Sequence, residues 1–227
     1  MSPVCHIARD ECRYWLRSNL AICSAVFVLV LLLVTSVLNH ARMTAQTEAR
    51  EHQQHHAEET FLSQPDRHPH RMVHYGHYVF RGAAPLSAFD PGLDTVTGQS
   101  IFLEGHRQNS AMFADGSASA DFGGMSWLTP AFVYQVFVPL LLIFLGHGAI
   151  VRERESGTLV QLLAQGVNGG ALVAGKLLAL VSVAAILLLP LMASVVAAVV
   201  KGESALAGFA MVSVYLTDIL SVQLLHR

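Results

Sequence analysis

Charged residues are scarce in this 227-residue chain, where Asp, Glu, Lys and Arg together make up 13% of the sequence. Soluble domains carry roughly 25%, and here the deficit is concentrated in long stretches that lack all four residue types. Such stretches are typical of a membrane protein rather than of a soluble globule. The net charge is −2 and no motif that reads DNA or RNA is present, so nucleic acid is not an expected partner.

Cysteine is also scarce, and the familiar catalytic patterns are missing. Cys5, Cys12 and Cys23 form no CxxC pair and lie in or before the first apolar run, which argues against a disulfide framework. The sequence contains no nucleophile elbow, no paired catalytic carboxylates and no Cys–His pairing. We therefore expect no enzymatic activity in this chain and no cofactor bound by it.

Three uncharged apolar runs are each long enough to cross a membrane, which takes about 20 helical residues. They are Leu20–Leu38, Leu128–Val151 and Leu177–Val200. A fourth run, Ala205–Leu225, is interrupted by Asp218. The first run is too long for the apolar core of a signal peptide and lacks a small-residue cleavage site, so it is interpreted as a retained anchor. The sequence predicts an all-α integral membrane protein with about four transmembrane helices.

Basic residues in the short loops predict the orientation of these helices. Arginines precede the first run, basic residues recur between the second and third, and a single lysine lies between the third and fourth. In chain order these are Arg9, Arg13, Arg17, Arg152, Arg154, Lys176 and Lys201. Because basic residues favour the cytoplasmic side, the N-terminus and residues 152–176 are expected in the cytoplasm. The chain would then be a multi-pass protein of the inner (cytoplasmic) membrane.

These patterns divide the chain into consecutive segments. Residues 1–18 are predicted to form an amphipathic helix in the cytoplasmic membrane interface, because Ala8, Cys12, Trp15 and Leu16 share one face. The remaining segments are transmembrane helix 19–38, a long extracytoplasmic insertion 39–127, transmembrane helix 128–151, a cytoplasmic helix and loop 152–176, and transmembrane helices 177–200 and 205–225.

Within the insertion, the local patterns predict a helix and a turn. Ala41–Gln64 is polar and contains no Gly or Pro, so it is expected to continue the first transmembrane helix into solvent. The Gln64-Pro65 step ends this helix, since the residue before a proline disfavours helical geometry. Asp90-Pro-Gly92 predicts a tight turn, and Ile101–Asn109 fits either a strand or a short helix.

Histidines crowd the insertion at positions His52, His55, His56, His68, His70, His74, His77 and His106. Imidazole is the commonest transition-metal ligand, and His68, His70 and His74 are the candidates for a zinc or copper site. The absence of an HExxH motif and of a neighbouring cysteine favours solvated or hydrogen-bonded histidines instead. If metal is bound, the alternative function is a membrane-anchored, extracytoplasmic metal-binding or sensing module.

Gly170–Leu177 nearly matches the GxxxxGK[ST] pattern of a nucleotide-binding loop. Leu177 replaces the hydroxyl residue that holds magnesium, and no buried strand precedes the segment. Its central residues read as ordinary helix, so nucleotide binding is not expected here. Lys176 is interpreted as an interfacial residue whose ammonium group reaches toward the headgroups.

Polar residues inside the apolar runs are candidates for a transport pathway. Asp218 is the strongest, because a carboxylate within a membrane span is costly unless it is paired or hydrated; an interfacial position is the alternative. His147 either lines a path or supports helix packing. Pro139 and Pro190 are expected to kink the second and third spans.

Several of these segments resemble one family. Glu153–Leu163 (ERESGTLVQLL), directly after a membrane span, resembles a segment of ABC-2-type transporter permeases. Asp10–Ser18, His68–Gly76, Phe89–Gly92 and Leu103–Asn109 are similar to the subfamily that carries a long extracytoplasmic insertion of unknown function. The resemblance covers most of the chain.

The resemblance implies a mechanism and a set of partners. Such permeases pair with a second copy or a paralogue and with cytoplasmic ABC ATP-binding subunits that hold ATP and Mg²⁺. A coupling helix, here about Arg152–Ala164, would rest on the ATPase, so the implied coupling residues are Arg152, Glu153, Arg154, Glu155, Ser156, Gly157, Thr158 and Leu159. The implied function is ATP-driven export. Family members usually have about six spans, so a chain that stops at Arg227 is expected to be truncated at its C-terminus.

Overall fold

The structure, a computed structural model, describes residues 2–84, 86–92, 98–111 and 127–224. The end of the predicted fourth span, Leu225, and the final residue Arg227 lie outside the described residues. The chain forms two compact units. The membrane unit comprises Met1–Val34 and Ala131–Arg227, and the insertion unit comprises Thr35–Pro130.

Helices make up most of the described part of the membrane unit. In chain order the described elements are α1 (Pro3–Arg17), α2 (Asn19–Leu62), α3 (Pro69–Met72), β1 (His77–Phe80), β2 (Ser100–Leu103), α4 (Pro130–Glu155), α5 (Thr158–Ala164), α6 (Gly169–Val200) and α7 (Ala205–Leu224). Three of them, α2, α4 and α6, are long and apolar enough to cross a membrane, while the apolar stretch of α7, Ala205–Ser221, is shorter. The predicted all-α membrane fold is confirmed, with a short two-stranded sheet added to it.

Helix α2 contributes to both units because it continues far beyond the length of a membrane span. Its 44 residues include the apolar first run and the polar segment that follows it. The helix ends at Leu62, shortly before Pro65, as the Gln64-Pro65 step predicts. The helical continuation of the first span expected from the sequence is therefore present.

The insertion unit contains a small antiparallel sheet. Strands β1 and β2 pair with His77 opposite Leu103 and Phe80 opposite Ser100. The segment that fitted either a strand or a short helix is thus a strand in its first part. The predicted turn at Asp90 is confirmed, because the Asp90 side chain accepts a hydrogen bond from the Gly92 N–H at 2.9 Å.

In the membrane unit, α4 contains a widened turn just before Pro139. Residues Val133–Phe137 form a π-helical turn, in which the Val138 N–H donates to the Val133 carbonyl five residues earlier. A proline in a regular helix clashes with the carbonyl four residues before it. The wider turn relieves that clash, and it turns Tyr134, which is fully buried, toward the neighbouring helix α6.

Tyr134 completes the hydrogen bonding of α6 at its own proline, Pro190. The Tyr134 hydroxyl donates to the Leu187 carbonyl at 2.6 Å and accepts from the Leu191 N–H at 3.2 Å. These two backbone groups would bond directly to each other in an unbroken helix. A side chain of α4 therefore bonds to the backbone of α6 directly beside the proline, where the ladder lacks one N–H donor.

Removing the Tyr134 hydroxyl should destabilise the membrane unit. We expect Tyr134→Phe to lower the unfolding free energy by about 1 kcal/mol, because two buried backbone groups lose their partner. Thermal unfolding in detergent micelles measures the change. In a Pro190→Ala background α6 can close its own ladder, so the loss should shrink; equal losses in both backgrounds would contradict the bridging role.

Candidate functional site

Four charged side chains from three helices meet in one place within the membrane unit. Glu11 comes from α1, Arg152 and Glu153 come from the last turn of α4, and Lys176 comes from the second turn of α6. We call this group the charge cluster. Glu11 is 3% exposed and Lys176 is 7% exposed, so both have been withdrawn from water.

Opposite charges neutralise one another in the charge cluster. The Glu11 carboxylate accepts hydrogen bonds from Arg152 Nη2 at 2.7 Å and from Lys176 Nζ at 3.1 Å. Lys176 Nζ also donates to Glu153 Oε1 at 3.3 Å and to the Ala149 carbonyl at 2.8 Å. The ammonium group of Lys176 has three N–H donors, and each has an acceptor here.

The interpretation of Lys176 as an interfacial residue was wrong. Its side chain does not reach toward headgroups but lies buried between α1 and α4. The predicted helical character of the segment before it is confirmed, since α6 begins at Gly169 and the Asn168 side chain accepts from the Gly170 N–H at 2.9 Å. The near-match to a nucleotide-binding loop is the first part of a capped helix.

The expected face of α1 is also corrected by the structure. Its buried residues are Ala8, Glu11 and Trp15. They pack against protein, chiefly α6, whereas Leu16 is exposed. A Cβ atom placed on Gly175 would lie 2.7 Å from Ile7 Cβ, so only glycine lets α1 approach α6 this closely. The face assigned to the membrane interface is in large part a helix–helix contact.

Two neighbours of Glu11 on α1 complete the surroundings of the charge cluster. The Arg152 guanidinium lies over the Tyr14 ring, 3.7 Å from its centroid, a cation–π contact that accompanies its pairing with Glu11. Burial, together with the nearby Glu11 carboxylate, raises the pKa of the Cys12 thiol. A thiol with a raised pKa is a poor nucleophile.

The helix predicted over Arg152–Ala164 is divided in two. Helix α4 ends at Glu155, Gly157 adopts φ +70°, and α5 begins at Thr158. A left-handed backbone of this kind favours glycine, so Gly157 sets the break. The Thr158 hydroxyl donates to the Glu153 carboxylate across the break. This bond ties the start of α5 to the charge cluster.

The eight predicted coupling residues separate into two groups. Arg152, Glu153 and Thr158 face the protein through the bonds described above. The exposed members are Arg154, Glu155, Ser156 and Gly157, and Leu159 is half-buried. Helix α5 itself buries none of its residues; Val160 is 71% exposed and Leu163 is 48% exposed.

The two residues predicted to line a transport pathway lie on α4 and α7. His147 is exposed on α4, and Asp218 is half-buried on α7. Neither residue is a member of the charge cluster, and their role in a pathway stays a prediction.

The structure brings together a different set of histidines from the predicted one. His70 and His74 are joined by His106, and one ring nitrogen of each lies within 4.8 Å of the others. His68 is not a member of this group. Its Nδ1 accepts from the His70 N–H at 3.3 Å and so caps the short helix α3.

Comparison with known families gives a match over almost the whole chain. The model of the family described as ABC-2 family transporter protein matches residues 5–226. The chain belongs to this family. As an ABC-2 family protein it is a permease subunit of an ABC transporter and a multi-pass membrane protein. No curated protein sequence and no solved structure matches the chain.

Sequence reasoning missed Glu11 and Lys176 as members of this permease's site. Glu11 shares a helical face with Ala8 and Trp15, and a carboxylate on the apolar face of an amphipathic helix is a signal for a buried partner. Lys176 carried a similar signal, because it stands at the start of a long apolar run. Both residues lie in segments whose sequence pattern predicts a position at the membrane surface.

Removing one charge from the charge cluster should destabilise the membrane unit. We expect Glu11→Gln to lower the unfolding free energy by about 3 kcal/mol, because Arg152 and Lys176 then share one carboxylate in a desolvated site. Denaturant unfolding in detergent micelles measures this change.

The matched control for Glu11→Gln is Asp10→Asn, which removes an exposed acid from the same helix and should cost at most about 0.5 kcal/mol. The double variant Glu11→Gln/Lys176→Met restores charge balance, so it should cost less than the sum of the single variants. Additive costs would show that the two side chains do not interact.

Proposed function

We propose that this permease subunit drives export by coupling ATP hydrolysis, on a separate cytoplasmic ATP-binding subunit, to movement of its own helices. Within the predicted coupling segment Arg152–Leu159, the contact would be made by the exposed residues 154–157 together with the exposed side of helix α5. The observation that carries the proposal is the charge cluster, which joins the end of α4 to α1 and α6, with α5 attached through Thr158. ATP and Mg²⁺ belong to the partner, and no residue of this chain takes part in hydrolysis.

The exposed side of this segment suits a protein partner. Arg154 and Glu155 offer charges of both signs, and Val160 and Leu163 offer apolar area next to them. A helix that buries none of its own residues is stabilised little by packing against its own chain. Apolar side chains flanked by charges are typical of a docking surface, and a groove on the ATP-binding subunit would bury them.

The inward side of the segment supports transmission. A push on α5 would reach Glu153 through the Thr158 hydroxyl and then Lys176 through its ion pair. Breaking a buried pair by separating one partner costs about 3–5 kcal/mol. The network would therefore move as one body, carrying α1, α4 and the start of α6 together, instead of yielding at a single contact.

The interrupted ladder of α6 supplies a place where such a movement can be absorbed. Beside Pro190 the Tyr134 hydroxyl bonds to both the Leu187 carbonyl and the Leu191 N–H. A hydroxyl bridge tolerates a larger change of helix angle than a direct backbone bond, and proline sites are the usual positions of helix kinks. Movement received at the charge cluster would then change the bend of α6 within the membrane.

The topology required by this mechanism follows the charge distribution. Basic residues before the first span and around residues 152–176 favour the cytoplasm for both segments, which places the N-terminus and α5 on the side where ATP is available. The insertion would lie on the opposite side of the inner membrane. A second permease copy or a paralogue would complete the transporter, as family resemblance implies.

Reversing the exposed charge nearest α5 should separate the subunits. We expect Glu155→Lys to reduce co-purification of the ATP-binding subunit by at least about tenfold, since a like charge in a protein contact is unfavourable. The measurement is pull-down of the complex from solubilised membranes through the permease.

The matched control for Glu155→Lys is Glu203→Lys, which makes the same charge change in the turn between α6 and α7 and should leave co-purification intact. If Glu155→Lys binds as well as the wild type, or if Glu203→Lys releases the ATP-binding subunit, the contact proposed for α5 is wrong.

Removing the Thr158 hydroxyl, which links α5 to the charge cluster, should preserve binding of the ATP-binding subunit. It should weaken the coupling between ATP hydrolysis and movement of the permease helices. We expect Thr158→Ala to retain the ATP-binding subunit. The ATP hydrolysis rate of this complex should differ several-fold from that of the wild-type complex and approach the rate of the isolated ATP-binding subunit. Thr158→Ser keeps the hydroxyl and should behave as the wild type. A wild-type rate in Thr158→Ala would show that force does not pass through this bond.

A further inference from the structure

Three histidine side chains converge in the insertion unit, on a surface that the proposed transport mechanism does not use. The ring centroids lie 5.3 Å apart for His70 and His74, 5.6 Å for His70 and His106, and 4.9 Å for His74 and His106. One ring nitrogen of each lies within 4.8 Å of the others. All three residues are exposed, so the group is open to ions in solution.

The register of the sheet explains why His74 and His106 meet. His77 pairs with Leu103 at the end of the ladder. Because the strands are antiparallel, the segment before His77 and the segment after Leu103 leave the sheet side by side. His74 lies three residues before His77, and His106 lies three residues after Leu103.

A glycine contact holds these two segments together. The Gly105 N–H donates to the Val73 carbonyl at 3.0 Å, directly beside the two histidines. A Cβ atom on Gly105 would lie 1.9 Å from Val73 Cγ1, so a residue with a side chain at this position would force the Val73 side chain to move. His70 lies in α3 and His74 in the turn that follows it, where the His74 N–H donates to the Arg71 carbonyl at 3.1 Å.

We propose that His70, His74 and His106 bind a divalent transition-metal ion of the zinc and copper class. Imidazole nitrogens suit these ions, whereas calcium and magnesium require oxygen ligands. Three nitrogens about 2.1 Å from a tetrahedral ion lie about 3.4 Å apart. Small rotations of exposed rings close the present separation to that value. Three protein ligands leave a fourth position for water or another ligand.

His68 is excluded from this site, which makes the proposal specific. Its ring already accepts the His70 N–H as the cap of α3, and His70 is positioned by that cap. His77 is also excluded, because its ring packs edge-on against Phe61 with centroids 5.2 Å apart. The proposal therefore distinguishes among neighbouring histidines that composition alone treats as equivalent.

The test is metal binding by the full chain, purified without a histidine tag, stripped with a chelator and held in detergent or nanodiscs. Zn²⁺ is titrated in competition with a chromophoric chelator, and Co²⁺ is used as a visible-absorption probe of the ligand set. We expect one equivalent of tight binding in the wild type. His106→Ala should weaken it at least about 100-fold, since loss of a ligand exceeds the 10–100-fold effect of losing an outer partner.

Two controls locate the site. His68→Asn keeps a capping acceptor and should change the affinity by less than about threefold. His52→Ala/His56→Ala removes the exposed i, i+4 pair of α2 and should likewise have little effect. The proposal would be overturned if either control variant lost Zn²⁺ binding while His106→Ala retained it. It would also be overturned if the wild-type chain bound less than one equivalent of Zn²⁺.

Thermal unfolding separates loss of the site from loss of the fold. Without metal, His106→Ala should unfold at the wild-type temperature, because the removed ring is exposed. Zn²⁺ should raise the unfolding temperature of the wild type and not that of the variant. A metal-induced rise that persists in the variant would count against this site. The result is independent of the coupling proposal, because no residue of the charge cluster is involved.

Discussion

The pairing of the Glu11 carboxylate with Arg152 and Lys176 is the interaction on which the membrane unit depends. Each of these charges would be costly to withdraw from water alone, and each is tolerated because the others surround it. Successive helix residues are separated by about 100°, so a rotation of α1 by one position would carry Glu11 away from both cations. The pairing thereby fixes the rotation of α1 against α6, and the glycine contact at Gly175 fixes their distance.

The end of α4 faces both the protein interior and the surface, because consecutive residues of a helix point in different directions. At the end of α4, Arg152 and Glu153 turn inward to the charge cluster, while Arg154 and Glu155 stay on the surface. The break at Gly157 then separates α5 from the span, and the Thr158 hydroxyl reconnects it by bonding to Glu153. The proposed docking surface and the internal network are thus adjacent in sequence and distinct in space.

The sequence predicts the membrane fold well, because hydropathy and proline steps act over short distances. The spans, the long α2 and the turn at Asp90 all follow from local patterns. Glu11 and Lys176 could not be paired in this way, since 165 positions separate them and nothing local fixes the rotation of α1. His106 was missed for the same reason, as its place beside His74 depends on the register between β1 and β2.

The proline in α6 gives this helix unequal arms. From Gly169 to Pro190 the helix extends about 32 Å at 1.5 Å per residue, and from Pro190 to Val200 about 15 Å. A bend of only about 10° at Pro190 would displace the Gly169 end by about 5 Å, roughly one helical turn. Lys176 lies about two-thirds of the way along the longer arm, about 21 Å from Pro190, so the same bend would displace it by about 4 Å.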